Sequence, residues 1–194
     1  MSATNRGTKR KESDFYATPL ETVYSLLDNY NDISPDDFIF EPSAGNGNII
    51  RALRNRGFQN RISAIEIRPE EEPNLKEIAD SVGIFDFLKH APDFIKYDVI
   101  IGNPPYSLAK EFIDKSLEML KPGGRLIFLL RTNFLESQKR FEWWQDKLPT
   151  RLYVLSKRPS FTGNGTDATS YAWFIWEKSR YADQFLKSQE IKVI

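Results

Sequence analysis

The chain has 194 residues, no cysteine and one histidine, and its 27 basic residues balance its 27 acidic residues. This length suits one compact domain, and the lack of cysteine excludes a disulfide framework and a zinc–thiolate site and indicates an intracellular, cytoplasmic protein. The zero net charge excludes nucleic-acid binding by bulk charge, and no apolar run reaches the roughly 18 residues of a membrane span.

Residues 1–13 form a polar, basic stretch without an apolar core, which predicts a disordered tail and not a secretory signal. Residues 14–194 are predicted to form a single domain, because no internal repeat, low-complexity block or clear linker divides them. The first predicted elements are a helix after Pro19, where apolar residues recur with a helical period, and a strand in DDFIFE.

Helical and strand-like segments alternate along the rest of the domain. The further predicted strands lie in RISAIEI, YDVIIG, RLIFLL, RLYVLS and SYAWFIW, with GIFDFL ambiguous between strand and loop. The predicted helices lie in IIRALRNRG, LKEIADSV, SLAKEFIDKSLEML, FLESQKRFEWWQDKL and a short C-terminal segment. This alternation predicts an α/β fold with a mostly parallel, doubly wound sheet of about seven strands.

Glycine-rich or acidic residues follow three of the predicted strands, at the sheet edge where ligands bind in open α/β folds. In EPSAGNG, residues 41–47, Gly45 and Gly47 let the backbone pass close to a ligand before a helix N-terminus. Glu66 ends the next strand, where an acid can accept hydrogen bonds from ribose hydroxyls. Asp86 is spaced to accept a hydrogen bond from an adenine amine. The glycine loop alone is equally compatible with a tight turn without function, and Glu66 alone with a surface carboxylate.

A fourth strand ends in DVIIGNPPY, residues 98–106. Its two prolines, Pro104 and Pro105, lack N–H groups and fix the backbone, so they leave carbonyl oxygens free in a rigid loop. Asn103 adds a side-chain carbonyl and Tyr106 adds a flat aromatic face. This set can hold a planar group that carries an NH2.

Together these segments resemble class I S-adenosylmethionine-dependent methyltransferases that act on the exocyclic amine of adenine in DNA. DFYATP, residues 14–19, is similar to the family motif that closes over the methionine end of the cofactor, and EPSAGNG is similar to its glycine-rich motif. The resemblance implies a Rossmann-like methyltransferase fold and S-adenosyl-L-methionine as cofactor. The implied cofactor contacts are Phe15, Tyr16, Thr18, Pro19, Glu41, Ser43, Ala44, Gly45, Gly47, Glu66, Ile67, Asp86, Phe87 and Asn103.

NPPY is similar to the catalytic motif of the same family, which implies catalytic roles for Asn103, Pro104, Pro105 and Tyr106. The segment RPSFTGNGTDATSYAWFIW resembles a later motif in which an aromatic residue packs against the target base. The candidate substrate contacts are Tyr106, Phe161, Lys139, Arg140 and Arg158.

The resemblance implies transfer of a methyl group to adenine in duplex or single-stranded DNA, with the base flipped out of any duplex. Similar NPPY loops occur in RNA and protein-glutamine methyltransferases, so such a substrate is one alternative. A non-catalytic, cofactor-binding regulatory protein is another. We find no room for a separate target-recognition domain, so selectivity is expected to be low or to come from loops 131–150 and 156–170 or from a partner.

Overall fold

The computed structural model describes residues 17–90, 94–161, 168–181, 185 and 190–194. The predicted tail, the candidate cofactor residues Phe15 and Tyr16, and residues 162–167 of the later motif lie outside the described residues. No helix in the described part of the chain is both long and apolar enough to cross a membrane.

The described residues form one sheet flanked by helices. Its strands are β1 (Ile39–Glu41), β2 (Ile62–Glu66), β3 (Ser81–Ile84), β4 (Tyr97–Gly102), β5 (Leu120–Arg131), β6 (Arg151–Val154), β7 (Tyr171–Glu177) and β8 (Glu190–Val193). The α-helices are α1 (Leu20–Leu27), α2 (Asn48–Asn55), α3 (Glu72–Lys76), α4 (Phe87–His90), α5 (Ala109–Glu118) and α6 (Phe141–Lys147).

The strand order across the sheet is β3-β2-β1-β4-β5-β7-β6-β8. Strands β3, β2, β1, β4 and β5 pair in parallel, and β7 is antiparallel to both β5 and β6. The predicted α/β fold with a mostly parallel sheet is therefore confirmed. Because β1 to β4 are parallel, their carboxyl ends lie along one edge of the sheet, where the candidate motifs follow.

Side chains that alternate along the inner strands fill one hydrophobic core on each face of the sheet. In β7, Trp173 and Ile175 belong to one core and Phe174 and Trp176 to the other, and all four are fully buried. Helices α1 and α2 cover the first core, whereas α5 covers the second. The sheet is thus doubly wound, as the uniformly apolar strands predicted.

Two local predictions were wrong. The described part of the chain has eight strands and not seven, because Glu190–Val193 forms β8 where a C-terminal helix was expected; this segment pairs in parallel with β6. Ser81 and Val82 were predicted to lie in a helix but begin β3. There the hydroxyls of Ser63 and Ser81 form a 2.6 Å hydrogen bond across the β2–β3 pair. In both places pairing with a distant strand overrides the local preference.

Candidate active site

A cavity of about 440 Å³ opens at the carboxyl edge of the sheet. Its volume lies in the range of roughly 300–1,000 Å³ that is typical of small-molecule sites. Most of the candidate residues line it together: Thr18, Glu41, Ser43, Ala44, Gly45, Glu66, Ile67, Asp86, Phe87, Asn103, Pro104, Pro105 and Tyr106. Pro19 and Gly47 are adjacent in the chain to lining residues but do not line the cavity themselves.

The glycine-rich loop between β1 and α2 needs its glycines for its backbone path. Gly45 and Gly47 have φ angles of 56° and 82°, a left-handed region that other residues adopt at a cost. A Cβ atom at Gly47 would also lie 2.5 Å from the Cδ1 atom of Ile78. Glycine at these positions therefore lets the loop follow this path without backbone strain.

Glu66 connects this loop to the end of β2. Its Oε2 atom accepts a 2.7 Å hydrogen bond from the backbone N–H of Gly45. Its Oε1 atom accepts hydrogen bonds from the backbone N–H and the Nε atom of Arg68, at 3.0 and 3.1 Å. Glu66 is 5% exposed, yet Oε2 accepts only one hydrogen bond from the described residues and keeps a second lone pair, so it can still accept a hydrogen bond from a ligand hydroxyl.

Glu41 is a buried acid at the cavity wall, with 2% of its surface exposed. Burial and the neighbouring charge of Glu66 raise its pKa well above the ordinary value. Its Oε2 atom and the hydroxyl of Ser43 are both buried without a hydrogen-bond partner among the described residues. Two unsatisfied polar groups in one cavity are costly, and a ligand with an ammonium group and further polar atoms would satisfy them.

Asp86 lies two residues beyond β3. Its Oδ1 atom accepts a 3.0 Å hydrogen bond from the N–H of Leu88, and Oδ2 lies 3.0 Å from the Lys89 ammonium. The hydrogen bond with Lys89 lowers the pKa of Asp86, so this side chain is a carboxylate and can accept a hydrogen bond from an amine. Phe87, the next residue, serves the core as well as the cavity, since its ring lies 5.0 Å from that of Phe112.

Asn103 joins the NPPY loop to two other segments. Its Nδ2 atom donates to the Thr18 hydroxyl at 3.1 Å, and the Thr18 carbonyl accepts from the Asn48 side chain at 2.9 Å. The described end of the DFYATP segment, the first turn of α2 and the NPPY loop are thereby held around one cavity. The carboxyl end of β4 supplies the rigid support, because Gly102 pairs with Phe128 of β5.

Tyr106 belongs to an aromatic cluster at the end of the cavity. The centre of its ring is 5.7 Å from that of Tyr171, and the ring centre of Phe161, which does not line the cavity, is 5.2 Å from that of Tyr171. Burial and the proximity of Tyr171 raise the pKa of Tyr106 well above its ordinary value, so the phenol is neutral. The structure thus brings both predicted base-contacting aromatics, Tyr106 and Phe161, against one shared neighbour.

The three basic substrate candidates lie away from the cavity lining. Lys139 is exposed. Arg140 donates hydrogen bonds to the Phe134 carbonyl oxygen from Nε and Nη2, at 3.1 and 2.7 Å, and stacks over the Phe134 ring. Arg158 donates to the Ala168 carbonyl oxygen at 3.2 Å. Arg140 therefore holds its own loop together, whereas Lys139 points to solvent.

Several cavity residues escaped the sequence analysis. These are Ala17, Pro42, Asn46, Asn48, Ile49, Arg68, Phe85, Leu88, Ser107, Leu108 and Phe112. Most are apolar residues of flanking elements and carry no local signal. Arg68 carried a usable signal, because a basic residue two positions after a strand-terminal acid could have been recognised as the ion-pair partner of that acid.

No protein-family model matches the chain. Two curated relatives are type II methyltransferases. M.CvrRI of Paramecium bursaria Chlorella virus XZ-6E is 31% identical over 104 residues, which cover 52% of this chain and 27% of the relative. M.TthHB8I of Thermus thermophilus is 28% identical over 50% of this chain and 30% of the relative. The chain thus spans less than a third of the length of either relative.

Solved structures match most of the described fold. A candidate class I S-adenosylmethionine-dependent methyltransferase from Listeria monocytogenes has a TM-score of 0.70 at 16% identity and matches 97% of this chain and 68% of its own. The M protein of the type I restriction enzyme EcoKI has a TM-score of 0.69 at 16% identity, over 94% of this chain and 49% of its own.

An RNA methyltransferase from Salinibacter ruber, solved with S-adenosyl-L-homocysteine, has a TM-score of 0.54 at 20% identity, over 84% of this chain and 94% of its own. Sequence identities this low establish the fold alone. The sheet order, the cavity at the carboxyl edge and these likenesses agree with one another. The chain therefore has the fold of class I S-adenosylmethionine-dependent methyltransferases, and about half of its sequence is similar to parts of two type II methyltransferases.

Proposed function

We propose that this chain transfers a methyl group from S-adenosyl-L-methionine to the exocyclic amine of adenine in DNA. The observation that carries the proposal is one cavity in which Glu41, Glu66 and Asp86 lie together with Asn103 and Tyr106. The first three residues are acids suited to the polar groups of a nucleoside-containing cofactor. The last two belong to a loop suited to a planar amine. Residues 14–194 would form the single catalytic domain.

The wall of the cavity fits this cofactor. The unsatisfied Glu41 and Ser43 groups would receive the ammonium and carboxylate of its methionine end, with Thr18 closing that side. Glu66 would accept hydrogen bonds from the ribose hydroxyls, and Asp86 would accept one from the adenine amine. When bound, the cofactor supplies an electrophilic methyl group on a sulfonium.

The NPPY loop would position the target. The Asn103 side-chain oxygen and the Pro104 carbonyl would both accept hydrogen bonds from the target amine, which directs its lone pair towards the methyl group. Tyr106 would stack on the target base, and Phe161, which contacts the same Tyr171 ring as Tyr106 does, would also contact the base. Such a site works by orientation and electrostatics, so no side chain needs to form a covalent bond to the substrate. A base in a duplex has to leave the helix to reach it.

The likeness to two type II methyltransferases favours DNA. A second candidate is methylation of RNA, favoured by a different observation. The match to the Salinibacter ruber RNA methyltransferase spans 94% of that protein, whereas the match to the EcoKI M protein spans only 49%. This near-complete match to an RNA methyltransferase makes RNA a second compatible substrate.

Transfer of radiolabelled methyl groups tests the proposal. Duplex DNA, single-stranded DNA, total RNA and a protein extract would be offered separately to the wild type and to the Asn103→Ala variant. We expect label in DNA with the wild type and a loss of at least 100-fold with the variant, as on the order of 3 kcal/mol of transition-state stabilisation is removed. Label only in RNA or protein would reject DNA as the substrate.

A further inference from the structure

Arg131 contacts the NPPY tyrosine, Tyr106, although it lies 25 positions further along the chain. It is the last residue of β5 and stands directly opposite Tyr171 of β7 in the antiparallel register. The Cζ atom of its guanidinium lies 4.9 Å from the centre of the Tyr106 ring. Its Nε atom donates a 3.0 Å hydrogen bond to the Tyr171 hydroxyl.

We propose that Arg131 is a positioning residue of the target site, which holds the Tyr106 ring in the orientation needed to stack on the target base. The inference rests on the proposed function and adds a residue to the target side of that site. Arg131 acts through Tyr106 and does not itself touch the reacting atoms. Tyr171 serves as its anchor.

The anchor is rigid because the sheet fixes it. Tyr171 is fully buried in the first hydrophobic core, and the β5–β7 pairing runs without interruption from Arg125 to Arg131. Tyr171 also touches both Phe161 and Tyr106, at ring separations of 5.2 and 5.7 Å. One hydroxyl at the end of a central strand pair thus sets the place of the guanidinium, and the guanidinium sets the place of the ring.

The guanidinium supports the ring and does not block the cavity. Tyr106 lines the cavity, whereas Arg131 is absent from its lining among the described residues. A cation that filled the place of the base would line the same space as the ring. A cation that rests on the ring from outside that space leaves the cavity side of the phenol available for stacking.

The geometry requires arginine and not merely a positive charge. A planar guanidinium can stack on an aromatic ring and donate from Nε at the same time, whereas a lysine ammonium is a strongly hydrated point charge without that fork. A role in attracting the DNA backbone would need only the charge. Arginine and lysine at this position therefore distinguish positioning from phosphate binding.

Steady-state kinetics of DNA methylation test the inference. The proteins compared are the wild type, Arg131→Ala, Arg131→Lys, Tyr171→Phe and the Arg131→Ala/Tyr171→Phe double variant. We expect kcat to fall about tenfold in both Arg131 variants and about threefold in Tyr171→Phe. The double variant should match Arg131→Ala at about tenfold, below the roughly thirtyfold product of independent effects. The dissociation constant for S-adenosyl-L-methionine, measured by calorimetry, should stay unchanged.

Arg125→Ala is the matched control, since it removes another β5 arginine whose guanidinium pairs with Asp37 at 3.1 Å. It should lower the thermal midpoint without lowering kcat at a temperature where the protein is folded. Wild-type kcat in Arg131→Lys would overturn the inference in favour of a charge role. The inference would also be overturned if Arg131→Ala bound DNA more tightly and kept full kcat. The same holds if the double variant lost kcat by the full product of the two single effects. A wild type that methylates no DNA would overturn the proposed function and this inference together.

Discussion

Replacing Gly47 by alanine should destabilise the protein by about 2 kcal/mol, of which the backbone and the side chain each contribute about half. The φ angle of 82° costs an alanine roughly 1–2 kcal/mol, reduced by the lower entropy of the unfolded alanine chain to about 1 kcal/mol. The new Cβ would lie 2.5 Å from Cδ1 of Ile78 and 3.1 Å from Cδ2 of Leu75. Moving Ile78 off its rotamer adds about 0.5–1.5 kcal/mol.

Gly57 provides the matched control at the other end of α2. Its φ angle is 84°, and a Cβ atom there would have nothing within 4 Å. Gly57→Ala should therefore cost only the backbone share, about 1 kcal/mol. Urea denaturation of both variants measures the difference, with the midpoint compared at equal slope.

The same pair separates the cofactor loop from general stability. Gly47→Ala displaces the loop that presents the Gly45 N–H to Glu66, so it should also weaken the binding of S-adenosyl-L-methionine. Gly57→Ala should leave that affinity unchanged. Equal costs for the two variants would show that Ile78 yields freely and refute the packing argument. An unchanged midpoint in both would refute the left-handed backbone as the reason for glycine.

Three further outcomes follow from individual side chains. Burial raises the pKa of Glu41 above 4.5, so this carboxyl ionises at lower pH in the unfolded chain than in the folded protein, and the free energy of unfolding of the cofactor-free protein should fall as pH rises from 4.5. Glu41→Gln should reduce this fall, measured by urea titrations at several pH values, and should weaken cofactor binding. An unchanged pH dependence in the variant would contradict the buried acid. Tyr106→Ala should lower DNA affinity and turnover by about 5- to 150-fold, as expected for base stacking worth roughly 1–3 kcal/mol. Tyr106→Phe should have a mild effect, and full activity of Tyr106→Ala would reject stacking. Arg140→Ala should lower the free energy of unfolding by about 1–3 kcal/mol, because it removes two hydrogen bonds to the Phe134 carbonyl. Lys139→Ala should leave stability unchanged and weaken DNA binding in a salt-dependent manner. Loss of stability in Lys139→Ala and loss of DNA binding alone in Arg140→Ala would contradict these roles.

The candidate cofactor side of the cavity could be predicted from sequence because its residues follow strands. Parallel strands end at one edge, so Glu41, Glu66 and Asn103, each at or next to a strand end, had to approach one another once the βαβ alternation was recognised. The motif spacing then placed Asp86 on the same edge. These inferences needed only local sequence and the rule that relates strand direction to ligand position.

The target side could not be predicted in the same way, because its contacts join residues that are far apart in the chain. Tyr171 lies in an apolar strand and gave no sign of its contacts with Arg131 and Tyr106. Arg140 was a candidate substrate contact because of its charge, and no local pattern indicated that its Nε and Nη2 atoms donate to the Phe134 carbonyl. Strand β8 was missed because an edge strand is determined by the neighbour it pairs with.

The identity of the methylated nucleoside tests the central claim most directly. DNA treated with the wild type and with Asn103→Ala in the presence of deuterated S-adenosyl-L-methionine would be digested to nucleosides and analysed by mass spectrometry. The account predicts deuterated N6-methyladenine from the wild type and its absence from the variant. A deuterated methyl group on another base, or only in RNA or protein treated in parallel, would contradict it.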